Sequence, residues 1–216
     1  DQNPEIKVVV ITMGPPPAES MLRECLAMGA DEAVLVSGRE FGGADTYATS
    51  ECLAAAIRKI GVEKDDIVFC GRQAIDGDTA QVGPQIAEKL ELPQVSYAAD
   101  IQQEDGKLIV KRMLEDGYMT IEVETPCLLT CIKELNEPRY MTPGGIFDAW
   151  EAEVTVWGRA DLKDVDDSNI GLKGSPTQIA KASDKVKKGA GEKIVPESAD
   201  AAVDYILGKL DEKHMI

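Results

Sequence analysis

The sequence has a single histidine, His214, among 216 residues, and no apolar run near the roughly 20 residues of a membrane helix. One histidine cannot supply a histidine-based triad or a multi-histidine metal site, so neither catalytic nor metal-binding residues are predicted. Basic residues are also scarce, with 23 Lys and Arg against 39 Asp and Glu and a formal net charge of -16. Such a charge disfavours nucleic acid and anionic lipid. We therefore expect neither nucleic-acid binding nor membrane insertion.

The five cysteines follow no spacing typical of a disulfide framework or a metal knuckle. Cys127 and Cys131 lie in an apolar run that is typical of a buried strand, which favours reduced thiols in the core. Reduced thiols suit a reducing compartment, so we expect a cytoplasmic protein.

Strand-like apolar runs alternate with helical patterns in the first part of the chain. In chain order, these segments are 6–11, 18–28, 33–36, 45–60, 66–70 and 80–90. The alternation predicts a doubly wound, mostly parallel α/β sheet of the Rossmann-like, adenine-nucleotide-binding type. Further on, segments 107–113 and 118–123 flank Asp116-Gly117 and predict an added β-hairpin. Segment 126–132 predicts one more buried strand.

Regular patterns become rare after Val154, where Gly, Pro, Ser, Asp and Lys dominate from Gly158 to Pro196. We expect an extended C-terminal arm there, followed by an amphipathic helix from about Ala199 to Leu210. The predicted organisation is a nucleotide-binding domain over 1–153 and an arm with a terminal helix over 154–216. Because a buried-looking strand starts within a few residues of Asp1, we also expect the domain to lack an N-terminal strand and helix.

The most informative segment is the loop Gly71–Val82, which follows a strand and precedes a helix. Ligands of doubly wound sheets bind beyond the carboxyl ends of strands, and glycines, a hydroxyl and a helix N-terminus suit a phosphate. Asp76 and Asp78 would repel phosphate directly, so we assign them to backbone capping, ribose hydroxyls or partner contacts. Asp78 or Thr79 is a suitable N-cap of the next helix. An ordinary strand-to-helix loop is the alternative, because no Gly-x-Gly-x-x-Gly or Walker motif is present.

The segment GRQAIDGDTAQVGP resembles the signature loop of the electron-transferring flavoprotein β subunit. Three more segments, TMGPPPAESMLRECLAMGADEAVLV, LNEPRY and GSPTQI, resemble the same family and occur in its order. The resemblance covers nearly the whole chain. It implies a heterodimer in which the arm embraces the larger α subunit, and an electron carrier that is redox-active only through bound flavin.

By resemblance, the loop holds the adenosine and phosphate part of a nucleotide, and Met13 flanks the adenine. A core methionine at a strand end is the alternative for Met13. The loop residues implied in cofactor binding are Gly71, Arg72, Gln73, Ala74, Ile75, Asp76, Gly77, Asp78, Thr79, Ala80, Gln81 and Val82.

The family resemblance leaves two nucleotides open, AMP as a structural filler and FAD as a second flavin. Segment Gly42–Ser50 resembles the FAD-binding, electron-bifurcating members, which implies that Asp45, Thr46 and Thr49 lie beside that flavin. Asp45 is equally well explained as an N-cap. The bifurcating type implies NADH as electron donor and anaerobic metabolism. It also implies an acyl-CoA dehydrogenase or similar flavoenzyme as partner, with ferredoxin or flavodoxin as a further acceptor.

One segment departs from the family pattern, because Pro143 stands where an apolar contact residue for partner dehydrogenases is expected. Ile146, Phe147 and Trp150 are either a replacement docking surface or one helix face packed on the domain. A stand-alone nucleotide-binding regulatory module is the alternative to a heterodimer subunit.

Overall fold

A computed structural model describes residues 5–104, 106–181, 187 and 189–216. The chain divides into two compact units, Asp1–Gln178 and Ile179–Ile216. In the described part of the chain, the first unit contains all the strands and four α-helices, and the second contains one α-helix. Among the described residues, no helix is both long and apolar enough to cross a membrane.

The first unit contains a three-stranded parallel sheet in the order β1-β2-β8. Its strands are β1 (Val9–Met13), β2 (Glu32–Val36) and β8 (Val154–Trp157). The central strand β2 is the most buried, as expected of an apolar run covered on both faces.

A second sheet has five strands in the order β3-β7-β4-β5-β6. They are β3 (Ile67–Gly71), β4 (Gln94–Glu104), β5 (Lys107–Met113), β6 (Tyr118–Val123) and β7 (Cys127–Cys131). The pairs β3–β7 and β4–β7 are parallel, whereas β4–β5 and β5–β6 are antiparallel. Within the described residues, β1 and β3 each pair on one side only.

The residues that the structure describes also form five α-helices: α1 (Glu19–Ala27), α2 (Thr46–Ile60), α3 (Val82–Lys89), α4 (Pro143–Glu151) and α5 (Ala199–Glu212). Helix α2 contributes to two core clusters. Cys52 and Ala56 pack with Val36 of the first sheet, whereas Ile57 packs with Leu128 of the second. Because one rigid helix touches both sheets, it fixes the loops at their ends relative to each other.

The prediction of a mixed α/β, Rossmann-like fold is confirmed, and so are the alternating elements and the hairpin β5–β6. The strands lie in two sheets rather than in one. Strand β4 was not predicted, although Val95, Tyr97, Ala99 and Ile101 alternate as a strand requires. Strand β8 was also missed, because four residues carry too little periodicity.

Helix α4 begins three residues before the segment Ile146–Trp150, with Thr142 as its N-cap. It packs on α1 through Ala149, and Arg23 of α1 donates a hydrogen bond to the carbonyl of Ala149 (2.6 Å). Phe147 and Trp150 remain 75% and 79% exposed, and Ile146 is 48% exposed. The interpretation of these three residues as a packed helix face is therefore wrong, because the helix uses its small residues to approach α1.

The first part of the segment after β8 packs on the first sheet. Leu162, Val165 and Ile170 are buried in the cluster that contains Val36 and Phe41. Residues 182–186 and 188 of the predicted arm lie outside the described residues. In the second unit, Ser198 caps α5 by accepting a hydrogen bond from the Ala201 amide (3.1 Å), which confirms the predicted terminal helix.

Candidate functional site

The loop of residues 72–81 connects β3 to α3 at the carboxyl edge of the second sheet. Strands β3 and β7 run parallel and end together, with Gly71 opposite Cys131. Most of the loop is exposed, and Gln73 and Ala80 are its half-buried members. Ile75 has a relative exposure of 103%, so this apolar side chain is fully exposed among the described residues. The open position matches the ligand-binding edge of doubly wound sheets.

The polar side chains of the loop hydrogen-bond mainly to one another. Arg72 Nε donates to Gln73 Oε1 (3.1 Å), and Gln73 Nε2 donates to Asp78 Oδ1. Asp76 Oδ1 accepts from the Gly77 amide (2.9 Å), and the Asp78 amide donates to the Ala74 carbonyl (3.1 Å). Both carboxylates therefore have partners inside the loop, and of the two only Asp76 is shown accepting from a backbone amide.

Two non-glycine residues of the loop have left-handed backbone conformations, Asp78 with φ 51° and Ala80 with φ 53°. An L-residue adopts this conformation at a cost of roughly 1–2 kcal/mol. Backbones that alternate between right- and left-handed residues present N–H groups in concavities that bind anions. The strain is thus located where an anion site is expected.

Helix α3 starts at Val82, and its N-cap Gln81 makes no side-chain capping hydrogen bond. The prediction of Asp78 or Thr79 as the N-cap is therefore wrong, because the helix starts later and Asp78 already accepts from Gln73. The first amides of α3 are left for another acceptor, and the helix dipole favours an anionic one.

Gly83 brings the first turn of α3 against the ends of β3 and β7. A Cβ atom at Gly83 would lie 2.8 Å from Thr130 Cγ2 and 3.3 Å from Cys70 Cβ. Any larger residue would push the helix away from the sheet edge. Glycine therefore keeps the open amides of the helix directly beside the loop.

The start of α2 is organised differently, around Asp45. Its Oδ1 accepts from the Ala48 amide (3.0 Å), and its Oδ2 accepts from the Thr177 amide (2.9 Å) and hydroxyl (2.7 Å). The Asp45 amide donates to Ser175 Oγ (2.8 Å). Burial alone would raise the pKa of Asp45, but the hydrogen bonds from Ala48 and Thr177 outweigh it and lower the pKa. We call Asp45, Ser175 and Thr177 the clasp.

Thr46 joins the clasp to the loop, because its Oγ1 donates to Gln81 Oε1 (2.9 Å). Three residues of this helix start are implied in binding a second flavin, and Thr46 is the one that contacts the loop. Asp45 has its carboxylate engaged in the clasp, and Thr49 is half-buried one turn further along α2. Met13 is half-buried and packs on the cluster of Val36 and Phe41. The contacts of these residues with a cofactor stay predictions.

Sequence reasoning missed Tyr97, which lies beside the loop on β4. The guanidinium carbon of Arg72 is 5.5 Å from the centre of the Tyr97 ring. Tyr97 itself has φ 59° and sits where the register of β4 against β7 shifts. Alternation in the sequence would have identified the strand, but nothing in the sequence indicates the irregularity.

The cysteines near the site are free thiols with little tendency to ionise. Burial raises the pKa of Cys70, at the end of β3, to about 11, and that of Cys52, on α2, to about 11. Burial also raises the pKa of Cys131. Within the described part of the chain, no group of three or more His, Cys, Asp and Glu side chains is arranged to hold a metal ion.

Residues 1–162 match the model of the electron transfer flavoprotein domain. The chain is 56% identical over 216 residues to the caffeyl-CoA reductase-Etf complex subunit CarD of Acetobacterium woodii. That match covers 100% of this chain and 81% of the relative. The chain belongs to the electron transfer flavoprotein family.

Two further relatives agree with this family membership. The acryloyl-CoA reductase electron transfer subunit gamma of Anaerotignum propionicum is 54% identical over 215 residues, covering 97% of this chain and 80% of its own. The electron transfer flavoprotein subunit beta of Clostridium acetobutylicum is 54% identical over 209 residues, with coverages of 97% and 79%. The resemblance to the β subunit of an electron-transferring flavoprotein is confirmed.

Electron transfer flavoproteins associate in general with flavin or AMP, so the residues must suit an adenine nucleotide. The open amides of α3, the left-handed residues Asp78 and Ala80 and the guanidinium of Arg72 suit its phosphates. The exposed side chain of Ile75 suits an apolar ring face. The loop of this flavoprotein chain therefore fits the class of cofactor that its family implies.

Proposed function

We propose that this chain is the β subunit of an electron-bifurcating electron-transferring flavoprotein and binds FAD on the loop Gly71–Val82. The observation that supports this proposal most strongly is the position of the loop. It is exposed at the carboxyl edge of the second sheet and lies next to the start of α3, which has no side-chain cap. Arg72 is the one cation of this loop, and Asp76 and Asp78 have partners within it. The site therefore attracts phosphate despite the acidic chain.

In this proposal, different residues contact different parts of the cofactor. The amides around Asp78–Val82 and the Arg72 guanidinium hold the phosphates, while Met13 flanks the adenine. Thr46 and Thr49 lie on the same side of α2 at helical spacing and face the flavin. Bound FAD supplies hydride acceptance and single-electron transfer, so no side chain acts as an acid or base.

NADH is proposed as the electron donor, and a flavoenzyme that acts on an acyl-CoA as one acceptor. This inference rests on relatives whose names place them with caffeyl-CoA and acryloyl-CoA reductases. Ferredoxin or flavodoxin is proposed as the second acceptor of the bifurcated electrons. We further propose that the protein is cytoplasmic.

The α4 surface, formed by Ile146, Phe147 and Trp150, is proposed to dock the partner flavoenzyme. These side chains stand 48%, 75% and 79% exposed on one helix, which is unusual for large apolar residues without a partner. Pro143, the first residue of α4, occupies the position of the expected apolar contact residue. The aromatic side chains one and two turns later replace it in this proposal.

Residues 154–216 are proposed to engage the larger α subunit, and residues 1–153 to form the nucleotide-binding domain. Support comes from α5, where Val203, Ile206 and Leu207 form a largely exposed apolar face. A helix with such a face needs a partner to bury it. The open edges of β1 and β3 are proposed to accept an additional strand.

The decisive experiment is to produce the chain with its α subunit and to count nucleotides released by acid per heterodimer. We expect two FAD, of which one is lost in Thr79→Ala and in Asp76→Ala. Thr120→Ala, on the exposed hairpin strand β6, is the matched control and should retain both. One FAD with one AMP would make the subunit a structural AMP binder. A stable chain that needs no α subunit would make it a stand-alone regulatory module.

A further inference from the structure

Strand β4 contains one extra residue next to the proposed site. Val95 pairs with Leu129 and Ala98 pairs with Cys131, so three steps on β4 match two steps on β7. This is the pattern of a β-bulge, a device that redirects a side chain out of its regular alternation. Tyr97 lies inside the bulge with φ 59°.

Buried Thr130 holds the bulge in place. Its Oγ1 accepts a hydrogen bond from the Tyr97 amide (3.0 Å), and its Cγ2 faces Gly83 at the start of α3. The same side chain therefore touches both the bulge and the helix that begins at the loop. A left-handed tyrosine is uncommon, and such strained residues concentrate at functional sites.

The redirected tyrosine ring lies under the only cation of the loop. The Arg72 guanidinium carbon stands 5.5 Å from the ring centre, within the range of a cation–π contact. Arg72 Nε donates to Gln73 Oε1, which holds the Nε edge of the guanidinium. With one of five donors used by this bond, the terminal nitrogens remain for a further acceptor.

We infer that Tyr97 is a positioning residue that holds the Arg72 guanidinium at the sheet edge for the phosphates of the nucleotide. This inference rests on the proposed function. A free arginine would sample many rotamers and would be drawn to neighbouring carboxylates, of which the loop has two. The aromatic ring and Gln73 fix one orientation before the ligand arrives, which lowers the entropic cost of binding.

The test titrates the deflavinated heterodimer by fluorescence and measures the affinity for the FAD equivalent that Thr79→Ala removes, with four variants. Arg72→Gln removes the charge and should weaken binding about tenfold or more. Tyr97→Leu removes the ring and should weaken binding about two- to fivefold, whereas Tyr97→Phe keeps the ring and should restore it. Tyr97→Leu combined with Arg72→Gln should bind no more weakly than Arg72→Gln alone.

Two readouts separate positioning from a structural role. Thermal unfolding without FAD should be the same for Tyr97→Leu and Tyr97→Phe, because both keep the left-handed backbone. The salt dependence of FAD affinity should weaken in Tyr97→Leu and remain in Tyr97→Phe.

The contradicting outcomes also separate the two proposals. Normal affinity in Tyr97→Leu, or additive losses in the double variant, would overturn the positioning role while leaving the loop as the binding site. Normal affinity in both Arg72→Gln and Thr79→Ala would overturn the binding site itself.

Discussion

The clasp at the start of α2 and the loop of residues 72–81 are alike in sequence and unlike in structure. The segment Gly42–Ser50, which contains Asp45 of the clasp, and the loop both place glycine, aspartate and threonine residues at a helix start, and both segments are implied in binding the nucleotide. In the clasp, the Asp45 carboxylate accepts from Ala48 and Thr177 within the chain. In the loop, the helix start has no side-chain cap and Ile75 is fully exposed.

This difference indicates what each region contributes. Polar groups that are satisfied inside the fold stabilise it, and their loss costs stability. Groups left open at a sheet edge contribute little to folding and remain for a ligand. Sequence alone cannot separate the two cases, because the partner Thr177 lies 132 positions from Asp45.

The largest effect is expected for Asp45→Ala, which removes the N-cap of α2 and the bonds to Thr177. The free energy of unfolding should fall by about 2 kcal/mol, measured by urea denaturation. Asp45→Asn, which keeps an N-capping oxygen, should lose less. If Asp45→Ala kept its stability but lost FAD, Asp45 would be a ligand-binding residue and the comparison would fail.

A smaller effect is expected from acid, and it tests the clasp without mutation. The pKa of Asp45 is lowered in the folded protein, against about 3.9 in an unfolded chain. Its stabilising contribution is therefore complete above the unfolded value and is lost as the pH falls through the lower folded value. Urea unfolding between pH 6 and pH 3 should show this loss in the native chain.

The control for the acid experiment is Asp45→Asn, which cannot titrate at this position. The difference in unfolding free energy between the native chain and Asp45→Asn should shrink as the pH falls. A constant difference across that range would contradict a titrating clasp.

The smallest effect on stability is expected for Thr46→Val, which removes the hydrogen bond from Thr46 to Gln81 but keeps the shape. Because Thr46 is half-buried and Gln81 is exposed, the free energy of unfolding should change by only about 0.5 kcal/mol. FAD release should nevertheless accelerate, since this bond joins the clasp to the loop. Thr155→Val, half-buried on β8 and outside the proposed site, is the comparison variant. If Thr46→Val lost as much stability as Asp45→Ala, the clasp and the loop would be one structural unit, and the distinction between them would be wrong.

The local parts of the fold were accessible from sequence because their signals are local. The apolar run before Gly14 and the helical spacing after Asp45 predict β1 and α2 without knowledge of any partner. The separation into two sheets depends on hydrogen bonds between distant strands. β8, for example, joins β2 across more than a hundred residues.

For the candidate site, too, only the features with local sequence signals could be predicted. Gly71 and the hydroxyl of Thr79 identify a strand-to-helix loop, but the position of its helix start depends on how Gly83 packs against Thr130. The bulge at Tyr97 could not be predicted, because one extra residue in a strand leaves no mark in composition or period. Sequence therefore locates the loop, and tertiary packing determines which side chains surround it.

The raised pKa values of the cysteines have a consequence for spectroscopic labelling. With pKa values of about 11, Cys52 and Cys70 are thiolates in roughly one molecule per thousand at pH 8, and burial also raises the pKa of Cys127 and Cys131. The pKa of Cys25 is likewise raised by burial. A cysteine introduced at the exposed Ile75 would react with a maleimide far faster than any of these. A fluorophore or spin label attached there would report cofactor binding directly, with the native thiols left in place.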